Sequence, residues 1–198
     1  MCGADFRKIM ADLNYEKLYL ETGIDELKNY LMSKEIYWQL GINAPAGMPP
    51  YPQFTLGWLL LFWQRWEGYT LSPDEQADYS YLRNKKNTIK QKWQSAWEKK
   101  AADEFPLRLS LWKNYINDYR KNPSEQANRY SYEVQRRVIL HLLAAEMKAV
   151  PTYYRELLKG MDRMLSEVFL PDGFIWNKVF ESSFPKEDYW YLYGRIKG

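Results

Sequence analysis

Three sets of side chains could do chemistry by type and spacing. The first is His141, the only histidine in the chain. A Ser-His or Cys-His nucleophilic pair would have to use it, and the sequence places no nucleophile beside it. Helical projection sets it at the edge of an apolar face, so it reads as a packed core side chain rather than an acid, base or ligand. One histidine cannot build a His-rich zinc site, and the Glu-x-x-His pairs of di-iron bundles are absent. Cys2, the only cysteine, can form neither an internal disulfide nor a Cys-rich zinc site and reads as a terminal residue.

The second set is carboxylates at helical spacing, Asp12 with Glu16 and Glu21 with Asp25. Such pairs can exchange protons or hold a hard cation, but the same spacing is ordinary on solvated helix faces, and that is how both are read. No Gly-rich phosphate loop of either common spacing occurs. No catalytic residue, metal site or cofactor is therefore expected.

The third set is the segment from Arg83 to Lys100. Arg83, Lys85, Lys86, Lys90, Lys92, Lys99 and Lys100 stand there against Glu98 alone, so with an overall charge of +3 the remainder of the chain is net acidic. At about 100° per residue the cations fall on both sides of a Leu82, Ile89 and Trp93 stripe, opposite an uncharged face of Asn84, Asn87, Gln91 and Gln94. In the structural reading the lysine stems line the core edge, the ammonium groups reach water, and Trp93 and Trp97 are packed. In the functional reading the helix is partly uncovered. The cations then neutralise phosphates beside Trp rings that stack on bases, or attract an acidic protein.

These residues need elements to position them, and the patterning is helical. Residues 6 to 33 read as one or two helices with Gly23 a weak point, and the proline- and glycine-rich stretch 41 to 53 as a loop. Thr55 caps a nearly all-apolar helix that runs from Leu56 to about Glu67. Ser72, Pro73 and Glu75 form the clearest helix start in the sequence, a capping box with proline at the first helical position. It opens an arm over 73 to 104, with a kink or break expected near Pro106 and a shorter helix beyond.

Asn122-Pro123-Ser124-Glu125 repeats the cap logic before a buried pattern at Val134, Val138, Leu142 and Ala145. After Pro151, Tyr154, Leu157, Leu158, Met161, Leu165 and Val168 form one stripe opposite Arg155, Lys159, Asp162 and Arg163. Pro171-Asp172-Gly173 is a turn. The aromatic segments Phe174 to Phe180 and Tyr189 to Ile196 allow a small C-terminal hairpin beside a helical turn started by Pro185. Aromatics are 17% of the chain, with 9 Trp, 17 Tyr and 8 Phe, so large flat side chains must fill the interior.

The expectation is an all-α fold, an irregular multi-helix bundle forming one domain over residues 1–198. The first residues lack the apolar run of a signal peptide. The longest apolar stretch, Leu56 to Trp63, is broken by Gly57 and falls short of the ~20 residues that span a bilayer. With a single cysteine, a reducing cytoplasmic setting without membrane contact is expected. Missing active-site chemistry and abundant Trp and Tyr favour a non-catalytic helical interaction module, an adaptor or accessory subunit whose partner is another protein. The alternative is a nucleic-acid-binding accessory subunit using the basic helix 83–100.

Overall fold

The computed structural model describes residues 11–198, so Cys2 and the predicted helical residues 6–10 lie outside the described part. Helix α1 spans Leu13–Met32, and Asp12 caps it by accepting from the Tyr15 N–H at 2.8 Å. Gly23 does not interrupt it. A β-carbon there would sit 2.4 Å from Phe54 Cε2, so the glycine is the gap through which the Phe54 ring meets the helix. Phe54 is fixed by a two-bond bridge to Trp38, at 2.8 and 2.9 Å. The predicted loop between them turns at Gly41 and Gly47, both with positive φ, and Tyr51 anchors it by stacking on Tyr15 at 4.4 Å.

Helix α2, Leu56–Trp66, starts at Thr55 as expected, and nearly all of it is buried among α1 and two later helices. Helix α3, Pro73–Lys92, opens with the capping box: the Ser72 N–H donates to Glu75 at 2.7 Å and the Glu75 N–H to Ser72 Oγ at 3.4 Å. Helix α4, Gln94–Lys121, follows after one non-helical residue, Trp93, at φ −122° and ψ 33°.

The break in the long arm is therefore at Trp93, and α4 runs through Pro106. Pro106 cannot donate to the Ala102 carbonyl, but Ala102 lies on the solvent side, where water can satisfy that oxygen. Phe105 and Leu109, on the opposite side, stay buried and hold the helix together across the proline. The turn at Trp93 is needed because α3 lies along α1 while α4 packs mainly on a later helix.

The predicted helix after Asn122 is three helices: α5, Pro123–Ala127, α6, Tyr130–Glu133, and α7, Gln135–Glu146. Asn122 makes no side-chain capping bond. The buried face of α7 is Val138, Ile139, Leu140 and Leu143, with Val134 just before it, while Ala145 is exposed and Leu142 half-buried. Helix α8, Thr152–Val168, lies on α4.

The predicted hairpin is a different object. Strands β1, Phe169–Pro171, and β2, Gly194–Ile196, pair antiparallel with Phe169 opposite Ile196, so the first strand precedes the Pro171-Asp172-Gly173 turn. The excursion 172–193 between them holds two 3-10 turns, Lys178–Ser183 and Trp190–Leu192. The Pro185 turn is present, its carbonyl accepting from the Asp188 and Tyr189 N–H groups at 3.2 and 3.0 Å. This excursion carries side chains rather than strands into the core: Trp176, Phe180, Phe184, Tyr191 and Leu192 are all buried. The fold is all-α with a two-stranded ribbon, and no helix among the described residues is long and apolar enough to cross a membrane.

Candidate functional site

Helix α3 buries one side chain, Leu82. A 20-residue helix that polar is held by what its edges reach. Lys17 of α1 pairs with Asp78, and Lys85 pairs with Asp25 of α1. The Tyr79 hydroxyl donates to Glu67 at 3.0 Å and the Tyr79 ring lies 5.0 Å from Trp63 and 5.3 Å from Trp66. The Lys86 ammonium sits 3.8 Å over the Trp63 ring, and burial pulls its pKa down to about 8.

The two sides of the Trp93 break converge on Glu146 at the end of α7. Lys90 pairs with its carboxylate, and Trp97 Nε1 donates to it at 2.8 Å. Trp97 is 1% exposed, and Trp93 is half-buried against the core. Lys99 pairs with Asp103 one turn on. Lys100 is buried, donating to Ser33 Oγ at 3.2 Å and to the Glu35 carbonyl, 4.2 Å from the Tyr30 ring.

Of the predicted basic set, Lys85, Lys86, Lys90 and Lys100 are thus engaged with other helices or loops of the fold, while Lys99 is exposed and its pair with Asp103 lies at the surface. Arg83 and Lys92 are exposed and make no ion pair among the described residues. The aromatic side chain left in water on this arm is Tyr81, 65% exposed, which the sequence reading passed over.

The carboxylate readings also divide. Asp25 is exposed, as expected of a solvated face, and Asp12 is a helix cap. Glu16 is fully buried and paired with buried Arg65, whose guanidinium lies 4.6 Å from the Phe180 ring centroid. Desolvation lifts the Glu16 carboxyl to about 7 against the opposing pull of Arg65. Its place in the apolar stripe with Tyr15, Tyr19 and Leu20 was the signal that it faces inward.

A second buried carboxylate, Glu104, ties α4 to the start of α2. It accepts from Thr55 Oγ1 at 2.7 Å, the Gly57 N–H at 2.8 Å and Arg108 Nε at 2.7 Å, while Arg108 also donates to Thr55 Oγ1 at 2.9 Å. Gly57 makes this approach feasible, because a β-carbon there would lie 2.7 Å from Glu104 Oε1. A third centre pairs Arg137 with Asp162 through bonds of 2.8 and 2.9 Å, under the Tyr191 ring at 4.6 Å. His141 stands next to it, half-buried, its ring 4.6 Å from Tyr189. Burial and then the Arg137 charge lower its pKa, which keeps it neutral. No group of three or more His, Cys, Asp or Glu among the described residues could hold a metal ion.

One surface emerges from packing alone. Helices α4 and α8 run in the same direction, since Phe105 meets Tyr154 at 6.2 Å near one end, while Ile116, Tyr119 and Arg120 face Met164, Leu165 and Val168 across a cavity of about 340 Å³ near the other. Met161 and Leu165 are the only buried residues of α8. Tyr154, Leu157, Leu158, Met164 and Val168 are half-covered, and Tyr153 is 70% exposed. The predicted stripe of α8 is therefore present, but the molecule covers only part of it. No protein-family model, no curated protein and no solved structure matches the chain.

Proposed function

We propose that the chain is a non-catalytic helical interaction module, an adaptor or accessory subunit that binds another protein. The observation that supports this is α8, a 17-residue helix with a continuous apolar stripe that buries only two side chains against its own fold. An apolar stripe left half-covered over that length is the kind of surface that a partner covers. The side chains most suited to acid-base work support the same reading, because Glu16, Glu104 and Asp162 are each committed to an arginine inside the fold. A reducing, cytoplasmic setting belongs to the proposal and rests on the single cysteine.

The test is a mass measurement at native concentration on protein gently recovered from its own source. A stoichiometric protein partner is expected. A strictly monomeric chain that retains none refutes the reading.

Nucleic-acid binding along the arm stands as the second reading, on one observation: Tyr81 and Lys92 are both exposed and by helical projection share one face of α3, with exposed Arg83 on the other side. It requires oligonucleotide affinity that falls steeply with salt and is lost in the Tyr81→Ala, Arg83→Glu, Lys92→Glu triple variant. Unchanged affinity in that variant removes it.

A further inference from the structure

We infer that the seam between α4 and α8 is a docking groove for an amphipathic helix with an acidic flank, presented by another protein. The inference rests on the interaction-module reading and adds a place and a chemistry to it.

The α8 stripe that borders the seam is long enough to receive a helix. From Tyr154 to Val168 it extends roughly 21 Å at helical rise, the length over which a bound helix sets anchors at i, i+4, i+7 and i+11, and the open cavity lies at its Val168 end. The groove floor is apolar at the described cavity, where Ile116, Tyr119, Met164, Leu165 and Val168 line the space. Gly160 lies on the α8 edge between Leu157 and Met164 by helical projection. A β-carbon built there meets nothing within 4 Å, so the edge is open where a side chain from a partner would enter.

Charge decides which helix fits. On the α4 side Arg120 lines the cavity, and Lys113, seven residues earlier, falls on the same edge by helical projection; both are exposed and neither is in an ion pair among the described residues. Lys121 follows, 3.8 Å from Asp118, and borders an open depression with Arg120 and Asn117. Glu167 is the one carboxylate among the residues lining the cavity. A second copy of this chain offers Arg120 and Lys121 together with Glu167, a poorer match to the cationic edge than an unbroken acidic flank. An acidic flank on the docked helix meets Lys113 and Arg120 while its apolar face covers Leu157, Met164 and Val168.

The probe is a fluorescent synthetic helix with leucines at those four spacings and glutamates along one flank, titrated against the full chain beside the same helix with lysines on the flank. The acidic probe is expected to bind at least about tenfold tighter, with the preference shrinking as salt rises. Gly160→Trp projects from a half-buried position into space where a β-carbon meets nothing, so the fold is expected to stay intact, checked by circular dichroism, and the acidic probe to bind about tenfold or more weaker. Lys113→Glu with Arg120→Glu is expected to reverse the preference between the two probes.

Equal affinity for the two probes, no binding of either, or binding indifferent to Gly160→Trp overturns the inference. So does self-association, or adsorption to vesicles of anionic phospholipid, that Gly160→Trp abolishes. The two proposals fail separately. If a native partner is retained by Gly160→Trp as well as by the parent chain, the groove is the wrong surface and the module reading stands; if no partner is retained by either, both fall.

Discussion

Removing the Glu104 carboxylate should bring the fold close to its limit of stability. In Glu104→Ala, buried Arg108 keeps only Thr55 Oγ1 and the Trp58 ring, 5.7 Å away, against its charge. The Gly57 N–H, at the first turn of α2, loses its acceptor. Breaking a buried pair by removing one partner costs about 3–5 kcal/mol, and an orphaned buried N–H about 1–3 kcal/mol. The two share one carboxylate and overlap rather than add, so a loss of about 4–6 kcal/mol is expected. Against a total stability of about 5–15 kcal/mol, that loss leaves little folded margin. Urea unfolding followed by tryptophan fluorescence measures it, with the denaturant slope compared between variants to confirm that the same surface is exposed. Glu104→Leu combined with Arg108→Met should recover part of the loss, because no isolated charge is then left in the interior. A Glu104→Ala loss below about 1 kcal/mol at unchanged slope, or a double variant no more stable than the single, would refute the assignment of this network as the tie between α2 and α4.

Other consequences can be measured directly. Gly23→Ala gains up to about 1 kcal/mol of helix propensity but drives a methyl into the Phe54 ring; a net loss of about 1–3 kcal/mol is expected in thermal unfolding, and a gain would show that the ring has room to move. The Glu16 carboxyl, raised in the fold to about 7, contributes stability that is fully present below its unfolded value and lost as pH rises from about 4.5 through 7. Glu16→Gln should therefore flatten the stability profile over that window, and an unchanged profile would count against the raised pKa. Amide hydrogens of α3 should exchange faster than those of α2, and faster still between 0.1 and 1 M salt, since ion pairs at its edges hold it; protection equal to that of α2 at both salt levels would contradict this.

What could be read from the chain follows the range of the interaction. The capping box at Ser72 and Glu75 and the Thr55 cap are made within three residues, so local chemistry shows them. The buried character of α2 follows from a run with no polar face. Pro106 misled because its cost is offset here by a freed Ala102 carbonyl that reaches water and by burial of Phe105 and Leu109, and both are tertiary properties. The basic segment was visible as composition, but whether Lys85 or Lys100 is free depends on Asp25 and Glu35, each about sixty residues away in sequence. The α8 stripe has the same period whether or not something covers it, so the groove beside α4 needed the packed chain to be seen.

The aromatic plug also bears on how the chain folds as it is made. Residues 189–196 leave the ribosome after the eight α-helices of the described residues, yet Tyr191 and Leu192 are fully buried, and the Tyr191 carbonyl accepts from the Tyr130 hydroxyl at 2.7 Å. Until they arrive, the place they fill beside α6 and α7 lies open, with Tyr130 and Arg137 at its edge. At about 5–20 residues per second the 24 residues from Phe169 through Leu192 leave that place uncapped for seconds. The nascent protein is most in need of a chaperone in that interval, and truncations that stop before Tyr191 should accumulate as aggregates rather than as a smaller bundle.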